Sequence, residues 1–279
     1  MIKIIGYTAF ALTAFAFNSL LCRMALRTGE ADAAGFTAVR LLSGAVTLIL
    51  ISYFAGGGSK SLKRGNWISA FFLFAYAICF SFAYVGLTVG TGALILFSSV
   101  QFTMIIIARL GGETPRPLEW LGIAIALAGL VYLVFPGLSS PPPVASLLMA
   151  AAGVAWGFYT LRGKGSSDPL GDTTGNFIRS VPMIGVAAIP FLSQIDLSAR
   201  GVILAMLSGA IASGVGYTVW YAALKHHTSA RAAVLQLAVP VITAFGGVVL
   251  LSEAMTTRLS IGAALILGGI AMAIFGRRS

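Results

Sequence analysis

Acidic residues are scarce in this sequence, and none falls in the middle of an apolar run. All eight, Glu30, Asp32, Glu113, Glu119, Asp168, Asp172, Asp196 and Glu253, lie in or beside the stretches that separate such runs. Intramembrane carboxylates are the usual proton relays of pumps and transporters. Their lack argues against coupling through a buried acid and against aspartyl-protease chemistry. The two cysteines, Cys22 and Cys79, both sit in apolar runs and offer no disulfide framework. The two histidines, His226 and His227, are adjacent in a turn beside Lys225. That turn reads first as a solvated connection and second as a proton sensor. With no histidine at apolar depth beside a Ser or Cys, the residues offer no constellation for hydrolysis, and neither a metal nor a cofactor is expected.

Charge of either sign is also rare. Charged residues are 9% of the chain and hydrophobic ones 58%, with a mean hydropathy of +0.95. A soluble domain is about 25% charged and about 45–50% apolar, so these values place the chain in a membrane. The net charge of +10 comes from basic residues set singly or in threes between apolar runs. That pattern orients membrane spans; it does not point to nucleic acid.

A span needs about 20 apolar residues to cross roughly 30 Å of hydrocarbon. Ten stretches qualify: 4–22, 33–55, 67–87, 92–110, 117–135, 144–162, 173–192, 201–224, 229–250 and 259–276. The fold expected is therefore an all-α membrane protein with ten transmembrane helices. The first stretch is too long for a signal-peptide core and is expected to remain in the mature protein. Lys3, Lys60, Lys63, Arg64, Arg109, Arg116, Arg162, Lys164, Lys225, Arg231, Arg277 and Arg278 fall on the side of the amino terminus, against Arg23, Arg27, Arg200 and Arg258 on the other. Both termini are then cytoplasmic, in a multi-pass protein of a bacterial-type inner membrane.

The chain also repeats itself. Sliding it by 140 positions sets Thr88 on Thr228, Thr103 on Thr243, Glu113 on Glu253, Gly122 on Gly262 and Gly129 on Gly269. A slip of one residue sets Arg40 on Arg179 and Arg23 on Arg162. Matches of Glu and Arg carry weight where charge is so rare. Five spans per half is an odd number, so the halves, 1–136 and 144–279, enter the membrane from opposite sides as inverted repeats around a central cavity, an arrangement frequent in secondary transporters. The glycine pairs, seven residues apart, suit close helix packing. Pro240 removes the helical partner of the Gln236 carbonyl, which predicts a kink, and a hinge, facing an interior.

Polar and aromatic residues at membrane depth need partners in a dry bilayer. Asn18, Tyr76, Tyr84, Ser98, Gln101, Trp156, Tyr159, Tyr217, Trp220 and Gln236 are the candidates for substrate binding. An interfacial belt or helix packing also accounts for a single ring, but Trp156, Tyr159 and Tyr217 are central in their spans. Rings with a few amides and hydroxyls suit a small amphiphile. Arg40 and Arg179 lie inside spans; they snorkel, clamp carbonyls, or hold a substrate carboxylate.

The motifs A-R-A-A-V-L-Q-L-A-V-P-V-I-T-A (230–244), L-L-S-E ending at Glu253, and I-G-A-A-L-I-L-G-G-I (261–270) resemble the drug/metabolite transporter superfamily, and within it the ten-helix EamA-like exporters. The first half keeps Glu113, Gly122 and Gly129 but has Ser99-Val100-Gln101 where members carry a proline. The resemblance implies helices 1–4 and 6–9 around the cavity, with 5 and 10 peripheral. It also implies a carrier and not an enzyme. The aromatic content is most similar to the YddG-type aromatic amino-acid exporters. The expected function is export of small amphiphilic metabolites, foremost hydrophobic or aromatic amino acids, by alternating access as a facilitator or uniporter. The alternatives are a multidrug or lipid-linked metabolite exporter and a proton-coupled antiporter. The expected partners are the small-molecule substrate and the lipid bilayer, for a monomer or homodimer.

Overall fold

A computed structural model describes residues 2–55, 63–110, 117–134, 140–164, 166–227 and 235–276. Glu113 and the segment 228–234, which includes Arg231 and Ala233, lie outside the described residues. The described helices are α1 (Ile2–Arg27), α2 (Ala33–Phe54), α3 (Trp67–Gly86), α4 (Val89–Leu110), α5 (Pro117–Val134), α6 (Pro143–Gly163), α7 (Pro169–Ala187), α8 (Ala199–Leu224), α9 (Ala238–Leu251) and α10 (Thr257–Gly276). The starts follow from sequence. Asp32, Asn66, Asp168 and Ser198 each accept a bond from the backbone N–H three residues on, and Pro143 and Pro169 open their helices where no N–H is needed.

Six helices, α1 to α4, α6 and α8, are long and apolar enough to cross a membrane. Within α5, α9 and α10 the apolar stretches are shorter. Many outward residues, among them Phe10, Phe17, Leu42, Val46 and Leu50, are exposed, so the bundle presents an apolar exterior. The protein is a multi-pass, all-helical membrane protein.

Three stretches differ from the sequence expectation. α7 carries Asp172, Asn176 and Arg179, encloses Pro182 and stops at Ala187; Pro190 falls in a following 3₁₀ turn, Ile189–Gln194. The expected span 173–192 is thus a shorter polar helix set earlier. The helix around Pro240 begins at Ala238, after a turn at Leu237. Pro240 therefore lies in the first turn, where its missing N–H costs nothing, and the interruption falls at Leu237. The centre of α8 is π-helical from Leu207 to Val215, flanked by α-helix on both sides. Nothing in the apolar pattern announces this.

α5 and α10 pack chiefly on each other. A Cβ on Gly122 would lie 2.5 Å from the Gly269 carbonyl oxygen, and one on Gly269 would lie 2.5 Å from the Ala126 nitrogen. The paired glycines thus serve packing within the chain. Gly122→Leu is expected to cost about 1–3 kcal/mol by overpacking, read as a lowered melting temperature in detergent; an unchanged melt would mean that α5 and α10 are not in contact.

The remaining packing has a regular form. α3 lies on α6 and α8 on α1; α4 lies on α6 and α9 on α1; α2 lies on α8 and α7 on α3. In each of these three pairs the second contact is the first with the two sets of five helices exchanged.

Candidate functional site

Rings from four helices meet at the centre. Trp156 of α6 stands 4.9 Å from Tyr76 of α3, 4.7 Å from Tyr217 of α8 and 5.9 Å from Phe15 of α1, centroid to centroid. Tyr159 lies 5.6 Å from Trp156, and Trp220 lies 5.7 Å from Phe15. All of these rings are buried, and most pairs take the tilted or edge-on geometries that aromatic quadrupoles favour.

A polar network threads the rings. Asn18 donates to the Tyr76 hydroxyl at 3.1 Å, and the Ser208 hydroxyl donates to the Asn18 side-chain oxygen. Arg40, 1% exposed, does not snorkel to an interface. Its Nη2 donates to the Tyr76 and Tyr217 hydroxyls at 3.1 and 3.2 Å, and its Nε to Ser213 at 3.2 Å. Its guanidinium stands 5.1 and 5.0 Å from the Tyr76 and Phe80 ring centres. Ser208 and Ser213 both come from the π-helical stretch of α8, which brings them onto α1 and α2. π-helical segments often mark functional sites. Arg179 behaves otherwise. It donates to the carbonyls of Arg64 and Gly175 at 2.6 and 2.8 Å and lies over the Trp67 ring, a carbonyl clamp near one mouth.

Phe15, Asn18, Ser19, Tyr76, Phe80, Leu96, Phe97, Trp156 and Tyr217 enclose a void of about 10 Å³. That volume holds about one water, so the centre is closed around its own side chains. Of the ten candidate residues, Asn18, Tyr76, Trp156 and Tyr217 line the void, with Tyr159 and Trp220 in the ring cluster. Tyr84 is farther along α3, where its ring meets Phe80 and its hydroxyl faces the Val89 carbonyl at 3.5 Å. Ser98 bonds back to the Leu94 carbonyl of its own helix. Gln101 and Gln236 are buried but outside the lining. Phe15 and Ser19 were missed by the sequence reading; Phe15 shares a face with Asn18 at a spacing of three, and that spacing was the available signal.

Both ends of the bundle hold cavities, and the larger ones, of about 570 and 220 Å³, lie at the end away from the amino terminus, lined by Asp32, Phe82, Gly86, Pro142 and Arg258 among others. On the side of the amino terminus a cavity of about 110 Å³ is lined by Asn66, Ser69, Arg162, Asn176, Tyr159 and Tyr221 among others. Its floor, Tyr159, touches Trp156. Arg162 donates to Ser69 at 3.0 Å and Asn66 at 3.2 Å. Arg64 pairs with Asp172 at 2.9 Å. Burial pushes the Asp172 carboxyl up, but bonds from Ser166 and Arg64 and the Arg64 charge outweigh it and hold the group below its ordinary range, so the pair persists through neutral pH. At the opposite end Arg23 pairs with Glu253 at 3.2 Å and donates to the Tyr84 and Val85 carbonyls at 2.8 and 3.0 Å. The second Glu253 oxygen accepts from the Val89 N–H at 2.9 Å. Asp32 and Asp196 exchange backbone and side-chain bonds there as well.

Comparison with known proteins agrees with this geometry. The model of the EamA-like transporter family matches residues 2–135 and 144–275. An uncharacterised protein of Pseudomonas aeruginosa is 45% identical over 97% of this chain and 94% of its own length. A probable amino-acid metabolite efflux pump of Escherichia coli is 28% identical, over 73% of each chain. An uncharacterised transporter of Archaeoglobus fulgidus is 27% identical over 76% of this chain and 77% of its own. A solved crystal structure superposes with a TM-score of 0.71 at 22% identity, covering 98% of this chain and 97% of the other, which is a likeness of fold.

Proposed function

The chain belongs to the EamA-like transporter family, a family of membrane transporters and not of enzymes, and from that premise we propose that it exports small amphiphilic metabolites by alternating access. Hydrophobic or aromatic amino acids are the first candidates, and the protein works as a facilitator in an inner membrane, with both termini cytoplasmic. The observation that carries this reading is the closed centre: rings and a polar network with room for about one water, between cavities at the two ends, with the Arg23–Glu253 pair at one of them. A carrier needs a site that neither side reaches through a continuous passage. The exchange relation among the larger helix contacts supports ten spans in two inverted halves, 1–136 and 144–279. The name of the Escherichia coli relative supports amino-acid metabolites as the cargo. The ring content favours the aromatic branch within that class.

The test is efflux from liposomes preloaded with labelled phenylalanine or leucine, with no ion gradient imposed. Saturable efflux, competed by unlabelled amino acid, is the expected result. Trp156→Ala is expected to lower it about tenfold, since it removes ring contacts of about 0.5–1.5 kcal/mol each, while the protein still inserts. Efflux that appears only under a proton gradient would overturn the uncoupled mechanism. Preference for bulky cations over amino acids would move the substrate to drugs.

A further inference from the structure

We propose that Arg40 is the receptor for an anionic head group, so that the transported molecule carries a carboxylate beside its apolar body. The inference rests on the carrier reading and narrows its substrate class.

A guanidinium stays charged under all ordinary conditions, so burial cannot be relieved by shedding its proton. Among the described residues Arg40 takes part in no ion pair, whereas Arg23, Arg64 and Arg200 each do. The partners it does have are the neutral hydroxyls of Tyr76, Tyr217 and Ser213, and its Nη1 is buried with no hydrogen-bond partner. A buried charge without a counter-charge is expensive, and a purely structural tie at this depth is served as well by apolar packing. Arg179, its counterpart in the repeat, shows what a structural arginine does here: it spends its guanidinium on backbone carbonyls near a mouth. Arg40 donates instead to the side-chain hydroxyls of Tyr76, Tyr217 and Ser213, and the two phenols it holds line the central void together with the Asn18 amide.

This is the donor set a carboxylate needs. The guanidinium supplies charge and a planar fork. Phenol O–H groups that now accept from Arg40 can turn to donate to the arriving anion. The apolar body then lies against Phe15, Phe80 and Trp156. The void is too small for such a molecule as it stands, so the centre opens to receive it. Ser213 lies in the π-helical stretch of α8 and Tyr217 in the turn after it. Rewinding that stretch moves two of the three partners of Arg40 together.

The test compares 3-phenylpropionate with 3-phenylpropionamide, which share one body and differ in charge. Binding to the purified full-length protein in detergent is read by thermal stabilisation. The wild type is expected to hold the carboxylate about tenfold or more tighter than the amide, as a charge-assisted bond in a dry site implies. Arg40→Gln is expected to lose that preference and Arg40→Lys to keep part of it. Equal binding of the two ligands by the wild type, no carboxylate-dependent binding at all, or an undiminished preference in Arg40→Gln would each overturn the assignment. The wild-type comparison needs no variant to fold. Carboxylate-selective binding without efflux of amino acids from liposomes would remove the carrier proposal and leave Arg40 standing. Efflux without carboxylate preference would do the reverse.

Discussion

Gly209→Val is expected to abolish transport and to cost about 3 kcal/mol or more of stability, at or beyond the top of the usual range for overpacking. A Cβ at this position would lie 2.0 Å from the Arg40 carbonyl oxygen and 2.2 Å from the Ser43 hydroxyl. The first of these is backbone and cannot rotate away, so α2 and α8 would have to separate. Separation at this point withdraws Ser213 and Tyr217 from Arg40, since both follow Gly209 on α8. The variant should melt well below the wild type in detergent and give no saturable efflux. Ser43→Ala in the same chain removes the second clash and not the first, so it should not rescue. A Gly209→Val protein that melts and transports normally would show that α2 and α8 do not approach this closely.

Glu253→Gln is the second large effect expected. The carboxylate of Glu253 is 8% exposed and its partner Arg23 is 13% exposed. Removing one partner of a buried pair costs about 3–5 kcal/mol because the other charge is left uncompensated. Arg23 keeps its bonds to the Tyr84 and Val85 carbonyls, which places the loss at the lower end, about 3 kcal/mol. The pair joins α1 and the α3–α4 connection to the α9–α10 connection. Its loss should therefore loosen that end as well as lower the melting temperature. Cys22 is fully buried behind it and serves as a native reporter. In a Cys79→Ala background, Glu253→Gln should admit a thiol reagent that the wild type excludes. The exchange Arg23→Glu with Glu253→Arg should restore part of both properties. A wild-type melt together with an unlabelled Cys22 would rule out this role for the pair.

Much of the architecture is legible in one dimension because a bilayer makes simple demands. Acids confined to the breaks between apolar runs and glycines at a spacing of seven each follow from what a helix must do in hydrocarbon. Close helix packing at these glycines was readable for that reason, and the structure adds that α5 and α10 are the partners, with Gly122 and Gly269 bringing their backbones together. Periodicity goes less far with the site. Tyr76, Phe80 and Tyr84 share one face of α3, but eight residues at about 1.5 Å each carry Tyr84 roughly 12 Å along the axis, away from the centre and toward the Arg23–Glu253 pair. The proline argument expected a kink at Pro240, and the structure places the interruption at Leu237 instead. The sequence could not tell that the helix restarts at Ala238 and leaves Pro240 in a harmless first turn.

The sequence by itself determined a multi-pass helical membrane protein, because composition and spacing decide which residues tolerate lipid. Only the tertiary structure decided that Arg40 and Arg179, matched across the repeat, have different work. One faces phenols from α3 and α8 and the other faces carbonyls of residues 64 and 175. For each arginine some of the partners come from residues more than a hundred positions away in the chain, Ser213 and Tyr217 for Arg40 and Arg64 for Arg179, and no local pattern announces them.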